Sequence, residues 1–385
     1  MGLTAERIHG RILDVDSHGD LATGPDGELF DDRVMRYFTT SPLLKMLGWT
    51  KDNDFFAIGK GGATLIPENP HDTPTLDMRA EVLDLMGIRR SLIFPNMALF
   101  AMGQASGGGF NGCPVNTAEE MEIARGAIDA WNEAAAAFSR NHGERLRLVG
   151  VLMTNKPGLT PNLLLKETER LIALGLRAIM IPSGLPPAGV SPANRDLDPW
   201  YAALAAKNIP LLFHSGGGAG FRKSNIWGLT PEGESGLVPG VQGDLSFPLI
   251  VCEAEQNFVT VMTMGGVFER HPTLRVGAIE AGSMWIGPLA ARLDAGFGVF
   301  AHKGLSLKPS EYFSRNLRVS ALFDEPVERQ LEIFPEVRDC ICQSSDFPHP
   351  EGRTWSMQQF YQRLAPLGDE IVEKFFCKNS ELLLP

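Results

Sequence analysis

Three segments of the sequence place imidazole and carboxylate side chains directly after apolar runs. The segment ILDVDSHGD carries Asp16 and His18, PLLFHSGGG carries His214, and CICQSSDFPHP carries Asp346. Such polar side chains usually lie at the protein surface, so their position after apolar runs indicates a special role. Imidazole and carboxylate groups together suit zinc, manganese or iron(II), and a set with a position open to water or substrate is typical of catalysis.

The apolar runs predict the strands of a parallel sheet. Eight near-continuous runs alternate with helical stretches, as in βα units whose strands are buried on both faces. The predicted strands are 12–18, 90–96, 146–153, 177–182, 210–216, 275–282, 317–323 and 340–346. The predicted helices are 76–87, 117–142, 160–174, 198–207, 247–271 with a break at Gly265 and Gly266, 283–296, 325–333 and 368–382. This alternation predicts an α/β fold of the (β/α)8 TIM-barrel type.

The barrel explains how distant residues meet. Side chains alternate along a strand, so Asp16 and His18 share one face and lie at the mouth of the first strand. The carboxyl ends of all barrel strands meet at one face, where active sites are assembled. We therefore expect Asp16 and His18 to converge with His214 and Asp346 on one metal. Taken singly, each residue has an ordinary alternative, a hydrogen-bonded histidine or an aspartate that forms a turn.

Two long segments interrupt the short connections of the barrel. Residues 19–75 follow the first strand and residues 215–246 follow the fifth, and both are rich in Gly, Pro, Asp and Ser. Loops of this length at the active-site face are expected to cover substrate, although a mobile insertion or a dimer arm is the alternative. No shift in composition marks a second domain, so residues 1–385 are predicted to form one domain. Thr117 and Glu120 predict a capping box at the start of helix 117–142.

Composition excludes several classes of function. The net charge of −11 argues against a nucleic-acid partner, which normally requires a basic surface. No apolar run approaches the roughly 18 residues that cross a bilayer, and five scattered cysteines fit a reducing compartment. The G-x-S-x-G motif of serine hydrolases and the G-x-x-x-x-G-K-[ST] motif of phosphate-loop enzymes do not occur. We therefore expect a cytoplasmic enzyme with a small-molecule substrate and no membrane partner.

Longer motifs make the family recognisable. The strings DVDSH, LLFHSGG, GGVFERHPTLRVGAIEAG and SSDFPHPEG resemble the amidohydrolase-related branch of the amidohydrolase superfamily. This branch includes aminocarboxymuconate semialdehyde decarboxylase, resorcylate-type decarboxylases and some carbon–carbon bond hydrolases. The resemblance runs from about residue 12 to about residue 380. It implies a distorted barrel, one divalent metal that is usually zinc or manganese, and a homo-oligomer, for which a dimer is expected.

The resemblance also assigns site residues. The family's first-strand pair, often His-x-His, falls on Asp16 and His18, the fifth-strand histidine on His214, and the eighth-strand aspartate on Asp346. Asp16 departs from the usual histidine, although some decarboxylases have Glu-x-His there. At the sixth strand, where the semialdehyde decarboxylases have a histidine and two glycines, this chain has a glutamate at Glu280. That carboxylate could bind the metal, act as a base or hold the neighbouring ligands.

The first functional hypothesis is decarboxylation of an unsaturated or aromatic carboxylic acid with one divalent metal, zinc being favoured over manganese or iron. Asp346 would deliver a proton to carbon before carbon dioxide leaves. Arg222 is a candidate clamp for a second substrate carboxylate, with Lys60 and Arg353 as further candidates, or all three are ordinary solvated charges. Trp285 either lines the pocket or packs the following helix.

Two alternatives keep the same barrel. In the first, the metal activates water for hydrolysis of a carbon–carbon, amide or lactone bond, with Asp346 as base and Glu280 as a second base. In the second, the barrel is a binding or scaffold protein without catalysis. His349, three residues after Asp346, could orient substrate or support the metal ligands in either catalytic reading.

Overall fold

The computed structural model describes residues 7–19, 32–41, 79–106, 117–222, 228, 231, 246–301, 303–322, 324–347 and 356–385. All eight predicted strands occur within these residues, and the third is divided in two. The strands are β1 (Ile12–His18), β2 (Ile88–Phe94), β3 (Leu146–Leu148), β4 (Gly150–Val151), β5 (Ile179–Met180), β6 (Leu211–His214), β7 (Val276–Ile279), β8 (Leu317–Ser320) and β9 (Ile341–Cys342).

The strands form two parallel sheets, in the orders β1-β2-β3 and β4-β5-β6-β7-β8-β9. Both junctions between the sheets are short. At Val149 the chain changes partner, because its N–H donates to the carbonyl of Ile93 in β2 while the N–H of Gly150 donates to Ala178 next to β5. At the other junction, a parallel bridge joins Ser17 of β1 to Phe347 beyond β9. With β3 and β4 counted together as one strand, eight parallel strands therefore follow one another around a (β/α)8 barrel.

Helices lie between successive strands along the chain. They are α1 (Asp32–Thr40), α2 (Arg79–Met86), α3 (Met97–Ala105), α4 (Ala118–His142), α5 (Pro161–Leu174), α6 (Asp198–Ala206), α7 (Phe247–Met264), α8 (Val267–Arg270), α9 (Ile286–Phe300), α10 (Pro309–Asn316), α11 (Val327–Ile333), α12 (Ser356–Leu364) and α13 (Asp369–Glu373). Short 3-10 helices occupy Pro187–Gly189, Arg195–Leu197, Pro335–Val337, Ala365–Leu367 and Asn379–Leu382, and a π-helix occupies Lys374–Lys378.

Several details of the helices were predicted and others were wrong. The capping box of α4 is confirmed, with Glu120 N–H donating to Thr117 Oγ1 and Thr117 N–H donating to a carboxylate oxygen of Glu120. The break at Gly265 and Gly266 is also confirmed, since Gly266 adopts the left-handed φ of +77° that ends α7. The prediction of one helix over 368–382 was wrong, because α13 passes into a π-helix and then a 3-10 helix.

The long segment 19–75 was predicted as a loop without helix, and this was wrong for residues 32–40, which form α1. Most of this segment lies outside the described residues, as does most of 215–246. The strands themselves are buried along their length, including all seven residues of β1 and all four of β6. No helix among the described residues is both long and apolar enough to span a bilayer.

Candidate metal centre

The carboxyl end of β1 carries three buried polar side chains on one face, Asp14, Asp16 and His18. Ser17 points elsewhere, since its hydroxyl donates to the Leu92 carbonyl of β2 at 2.9 Å. The β1–β2 register is irregular between Asp14 and Ser17. This stretch therefore departs from a regular strand at the residues predicted to do chemistry.

Asp14 lies deepest and is held by hydrogen bonds. Its carboxylate accepts from the Ser345 N–H at 2.8 Å, from the Ser345 hydroxyl at 2.7 Å and from the Ser91 hydroxyl at 2.9 Å. Burial raises the pKa of Asp14 to about 7, and the hydrogen bonds from Ser345 and Ser91 oppose that rise. Ser345 thus ties the segment after β9 to β1, and beside it the N–H of Asp346 donates to the Asp16 carbonyl at 2.9 Å.

The four predicted ligands are brought together. His18 Nε2 lies 3.6 Å from Asp16 Oδ1 and 3.4 Å from Asp346 Oδ1, and His214 Nε2 lies 3.5 Å from the same oxygen of Asp16. One ligand atom each of Asp16, His18 and His214 lies within 4.8 Å of the others. All four residues are buried, Asp346 at 5% exposure being the most open.

These separations fit a metal. Two ligand atoms each about 2.1 Å from one zinc ion, at a tetrahedral angle, lie about 3.4 Å apart. The observed distances of 3.4, 3.5 and 3.6 Å match that edge without a direct hydrogen bond between the groups. Two imidazoles and two carboxylates also form a donor set that zinc, manganese and iron(II) accept.

The orientation of His214 follows from the acceptors around it. Its Nδ1 lies 2.9 Å from the Ser215 carbonyl and 3.3 Å from Glu280 Oε2. Because both neighbours accept hydrogen bonds, we assign the proton to Nδ1, which leaves the lone pair of Nε2 directed at the cluster. The Phe94 ring lies against His214 with centroids 4.5 Å apart, and the His18 ring meets His214 edge-on. The imidazole is thus fixed on several sides.

Two site residues have unusual backbone conformations. Glu280 has a φ of 53° and Asp346 a φ of 50°, in a left-handed region that costs a non-glycine residue free energy. Each is held there by a hydrogen bond from its N–H, which runs from Glu280 to Ser320 Oγ at 2.7 Å and from Asp346 to the Asp16 carbonyl at 2.9 Å. Glu280 directly follows β7, and Asp346 lies four residues after β9; at each position a sharp turn presents a carboxylate at the barrel mouth.

The remaining predicted residues have contacts of their own or lie outside the described part of the chain. The Arg222 guanidinium donates to both carboxylate oxygens of Glu253 at 2.6 Å and to the Ser246 hydroxyl at 2.7 Å. Trp285 directly precedes α9 and is 8% exposed. Their roles in substrate binding stay predictions. His349, Lys60 and Arg353 lie outside the described residues.

Sequence reasoning did not find the groups that support the site. Glu325 accepts hydrogen bonds from the N–H groups of Ser283 and Met284 and from the Ser283 hydroxyl, which fixes the turn after Glu280. Phe94 could have been noticed, because an aromatic residue ends the second apolar strand. Arg79, whose guanidinium donates to the His18 carbonyl, has no comparable signal in the sequence.

A barrel of eight parallel strands, with buried carboxylates and imidazoles at the mouth that could bind a metal ion, is typical of a class of (β/α)8 enzymes. The amidohydrolase family model matches residues 96–385. This match covers more than half of the chain, so the protein belongs to the amidohydrolase family and is an enzyme of that family. The resemblance read from the sequence motifs is confirmed.

Solved structures share the whole fold at low sequence identity. An amidohydrolase from Mycobacterium avium subsp. paratuberculosis is 20% identical, with a TM-score of 0.64 over 97% of this chain and 98% of its own. A 5-carboxyvanillate decarboxylase from Novosphingobium aromaticivorans, complexed with manganese and a nitrobenzoic acid, is 16% identical, with a TM-score of 0.59 over 97% and 96%. A 2,6-dihydroxybenzoate decarboxylase from Rhizobium is 14% identical, with a TM-score of 0.58 over 97% and 98%. A comparison with curated protein sequences finds no match.

Proposed function

We propose that this protein is a divalent-metal-dependent decarboxylase of an unsaturated or aromatic carboxylic acid. The observation that carries the proposal is the cluster of Asp16, His18 and His214 at the mouth of an amidohydrolase-family barrel, with Asp346 Oδ1 3.4 Å from His18 Nε2. Two solved structures with the same fold are decarboxylases of aromatic acids, and one of them holds manganese. These names support the reaction class and leave the substrate of this chain to experiment.

The four side chains would hold one zinc, manganese or iron(II) ion. When bound, that ion supplies positive charge for the substrate's carboxylate or for an adjacent hydroxyl. Burial of all four residues lowers the effective dielectric around the ligands, which strengthens every electrostatic interaction in the site. Asp16 contributes the second carboxylate of the set, which favours the harder manganese and iron ions more than an all-histidine set does.

Asp346 is assigned the proton transfer. In its acid form, this side chain donates a proton to the carbon that bears the carboxylate. The bond from that carbon to the carboxylate then breaks, carbon dioxide leaves, and the electron pair restores the double bond or aromatic ring. Asp346 regains its proton from water. Its sharp backbone turn places the carboxyl group at the mouth, next to His18 Nε2 at 3.4 Å.

Glu280 is assigned a supporting role from among the three possibilities that its sequence position allows. Its Oε2 lies 3.3 Å from His214 Nδ1, on the side of the ring opposite the cluster. A carboxylate in that place fixes the tautomer and orientation of a ligand histidine and raises its basicity. Glu280 therefore acts through His214 in this proposal, and neither binds the metal nor serves as the base.

The experiment is turnover of a panel of carboxylic acids by the metal-loaded protein, in deuterium oxide and separately in oxygen-18 water. The panel includes 5-carboxyvanillate, 2,6-dihydroxybenzoate and non-aromatic unsaturated acids. Decarboxylation gives carbon dioxide and a product with deuterium at the carbon that lost it. Oxygen-18 in the product without release of carbon dioxide identifies the hydrolase alternative and refutes the decarboxylase. His214→Ala is the control for contaminating activity.

A small-molecule substrate fits an enzyme of this family, and we propose a cytoplasmic homodimer as the working form. Light scattering of the purified protein measures the assembly directly. A mass near twice the 42.0 kDa of the chain supports the dimer.

A further inference from the structure

Arg79, the first residue of α2, is a buried cation beside the metal centre. It is 3% exposed, and no carboxylate among the described residues forms an ion pair with it. Burial lowers the pKa of Arg79 to about 10, and the more distant charge of Asp14 opposes that change, so the guanidinium is charged near neutral pH. Burial of a charge is costly unless the group is well hydrogen-bonded, which indicates that the contacts of this guanidinium matter.

Those contacts are made to the main chain at two ligand-bearing strand ends. Nη2 donates to the His18 carbonyl at 2.8 Å, and Nη1 makes a longer contact of 3.5 Å to the Phe347 carbonyl. The guanidinium also lies over the Phe347 ring, 4.7 Å from its centroid. His18 belongs to β1, and Phe347 directly follows Asp346. One side chain thus contacts both the end of β1, which carries His18, and the segment after β9, which carries Asp346.

This junction is where the barrel has little regular pairing. The ends of β1 and β9 are joined by the bridge between Ser17 and Phe347 and by N–H groups donating across the gap, including His18 to Phe347 at 2.6 Å and Asp346 to Asp16 at 2.9 Å. Asp346 is also in its costly left-handed conformation here. Arg79 adds a side-chain contact to both sides of this junction, on which the separation of the His18 and Asp346 side chains depends.

We propose that Arg79 is a positioning residue of the metal centre, which holds the main chain of His18 and Phe347 so that the His18 imidazole and the Asp346 carboxylate can share one metal. The inference rests on the metal site of the proposed function. A planar guanidinium suits this task because it makes two hydrogen bonds in fixed directions while its face stacks on a ring. Lysine offers a single flexible ammonium in the same space.

The test compares Arg79→Lys with a matched control, Arg318→Lys. Arg318 is also buried and also donates to main-chain carbonyls, those of Ser314, Leu317 and Asn379, but it does so at the start of β8, away from the ligands. For each protein, manganese affinity is measured by titration, cobalt(II) absorption reports the ligand geometry, and thermal unfolding of the metal-free form reports stability.

We expect Arg79→Lys to lower manganese affinity about 10-fold and to change the cobalt spectrum, in line with the loss of other groups that orient metal ligands. Arg318→Lys should lower the unfolding temperature and leave affinity and spectrum unchanged. An affinity within twofold of wild type and an unchanged spectrum for Arg79→Lys overturn the inference, while the proposed function stands. A wild-type protein that binds neither manganese, zinc nor cobalt overturns both.

A second variant covers the case in which Arg79→Lys does not fold. Phe347→Leu keeps the carbonyl and removes the ring beneath the guanidinium. The expected result is a smaller loss of manganese affinity, about threefold, with a cobalt spectrum shifted in the same direction. An unchanged affinity and spectrum in this variant also contradict the positioning role.

Discussion

Replacement of Glu255 by glutamine should make the stability of the protein less sensitive to pH. Glu255 lies in α7 and is 1% exposed. Its Oε1 accepts from the Ser183 hydroxyl at 2.6 Å, and its Oε2 has no hydrogen-bond partner among the described residues. Burial raises the pKa of Glu255 from 4.5 to about 7, against the opposing effect of the Ser183 hydrogen bond.

The direction of the pH dependence follows from the protonation of Glu255 in the folded and in the unfolded chain. Below pH 4.5 the carboxyl group is protonated in both the folded and the unfolded chain. The folded chain binds this proton more tightly, and the resulting contribution to the free energy of unfolding is then fully present. Between about pH 4.5 and 7 the unfolded chain releases the proton first, so stability falls until both forms are ionised. Each pKa difference of one corresponds to about 1.4 kcal/mol, so the total loss is roughly 3 kcal/mol at most.

The assay is urea unfolding of the wild type and Glu255→Gln at half-unit steps from pH 5 to pH 9. The free energy of unfolding of the variant should rise relative to wild type by up to roughly 3 kcal/mol across that range, because glutamine cannot ionise. The buried Asp14 is present in both proteins and cancels in the difference. Glu169→Gln, at an exposed position of α5, is the control and should show no such trend. A constant difference between wild type and Glu255→Gln would refute the reasoning.

His214→Ala and Asp346→Asn should each abolish turnover and leave the circular dichroism spectrum unchanged. Each should weaken metal binding by more than about 100-fold, because even groups that only orient metal ligands contribute about 10–100-fold. Near-normal activity in both variants contradicts the assigned site. Glu280→Gln should lower metal affinity about 10-fold in a competition titration, because the amide is a weaker acceptor for His214 Nδ1; unchanged affinity removes its supporting role. Thr117→Ala should cost about 1 kcal/mol in urea unfolding through loss of the cap to the Glu120 N–H, and an unchanged midpoint counts against it.

The barrel could be predicted because its strands are buried on both faces and therefore appear as apolar runs. Helix α3 was missed for a related reason. Its sequence MALFAMGQA is buried on nearly all sides, so it lacks the spacing of apolar and polar residues that marks an amphipathic helix. Helix α1 was missed because the segment around it is rich in residues typical of loops.

The ligands could be predicted because each is a polar side chain at the end of an apolar strand, and the barrel brings such ends together. The groups that hold the ligands could not. Arg79 contacts carbonyl groups, which every residue possesses, so nothing in the sequence identifies its partners. Likewise, the supporting role assigned to Glu280 depends on its distance to His214. The two residues are 66 positions apart in the sequence, which does not show that they are in contact.

The central claim is that one divalent metal lies among Asp16, His18, His214 and Asp346. Anomalous diffraction from crystals of the wild-type protein, grown with manganese or zinc and measured at the absorption edge of that metal, tests it most directly. The account predicts one strong anomalous peak per chain, about 2.0–2.2 Å from a ligand atom of each residue. A peak bound elsewhere, or no peak among these four side chains at saturating metal, would contradict it.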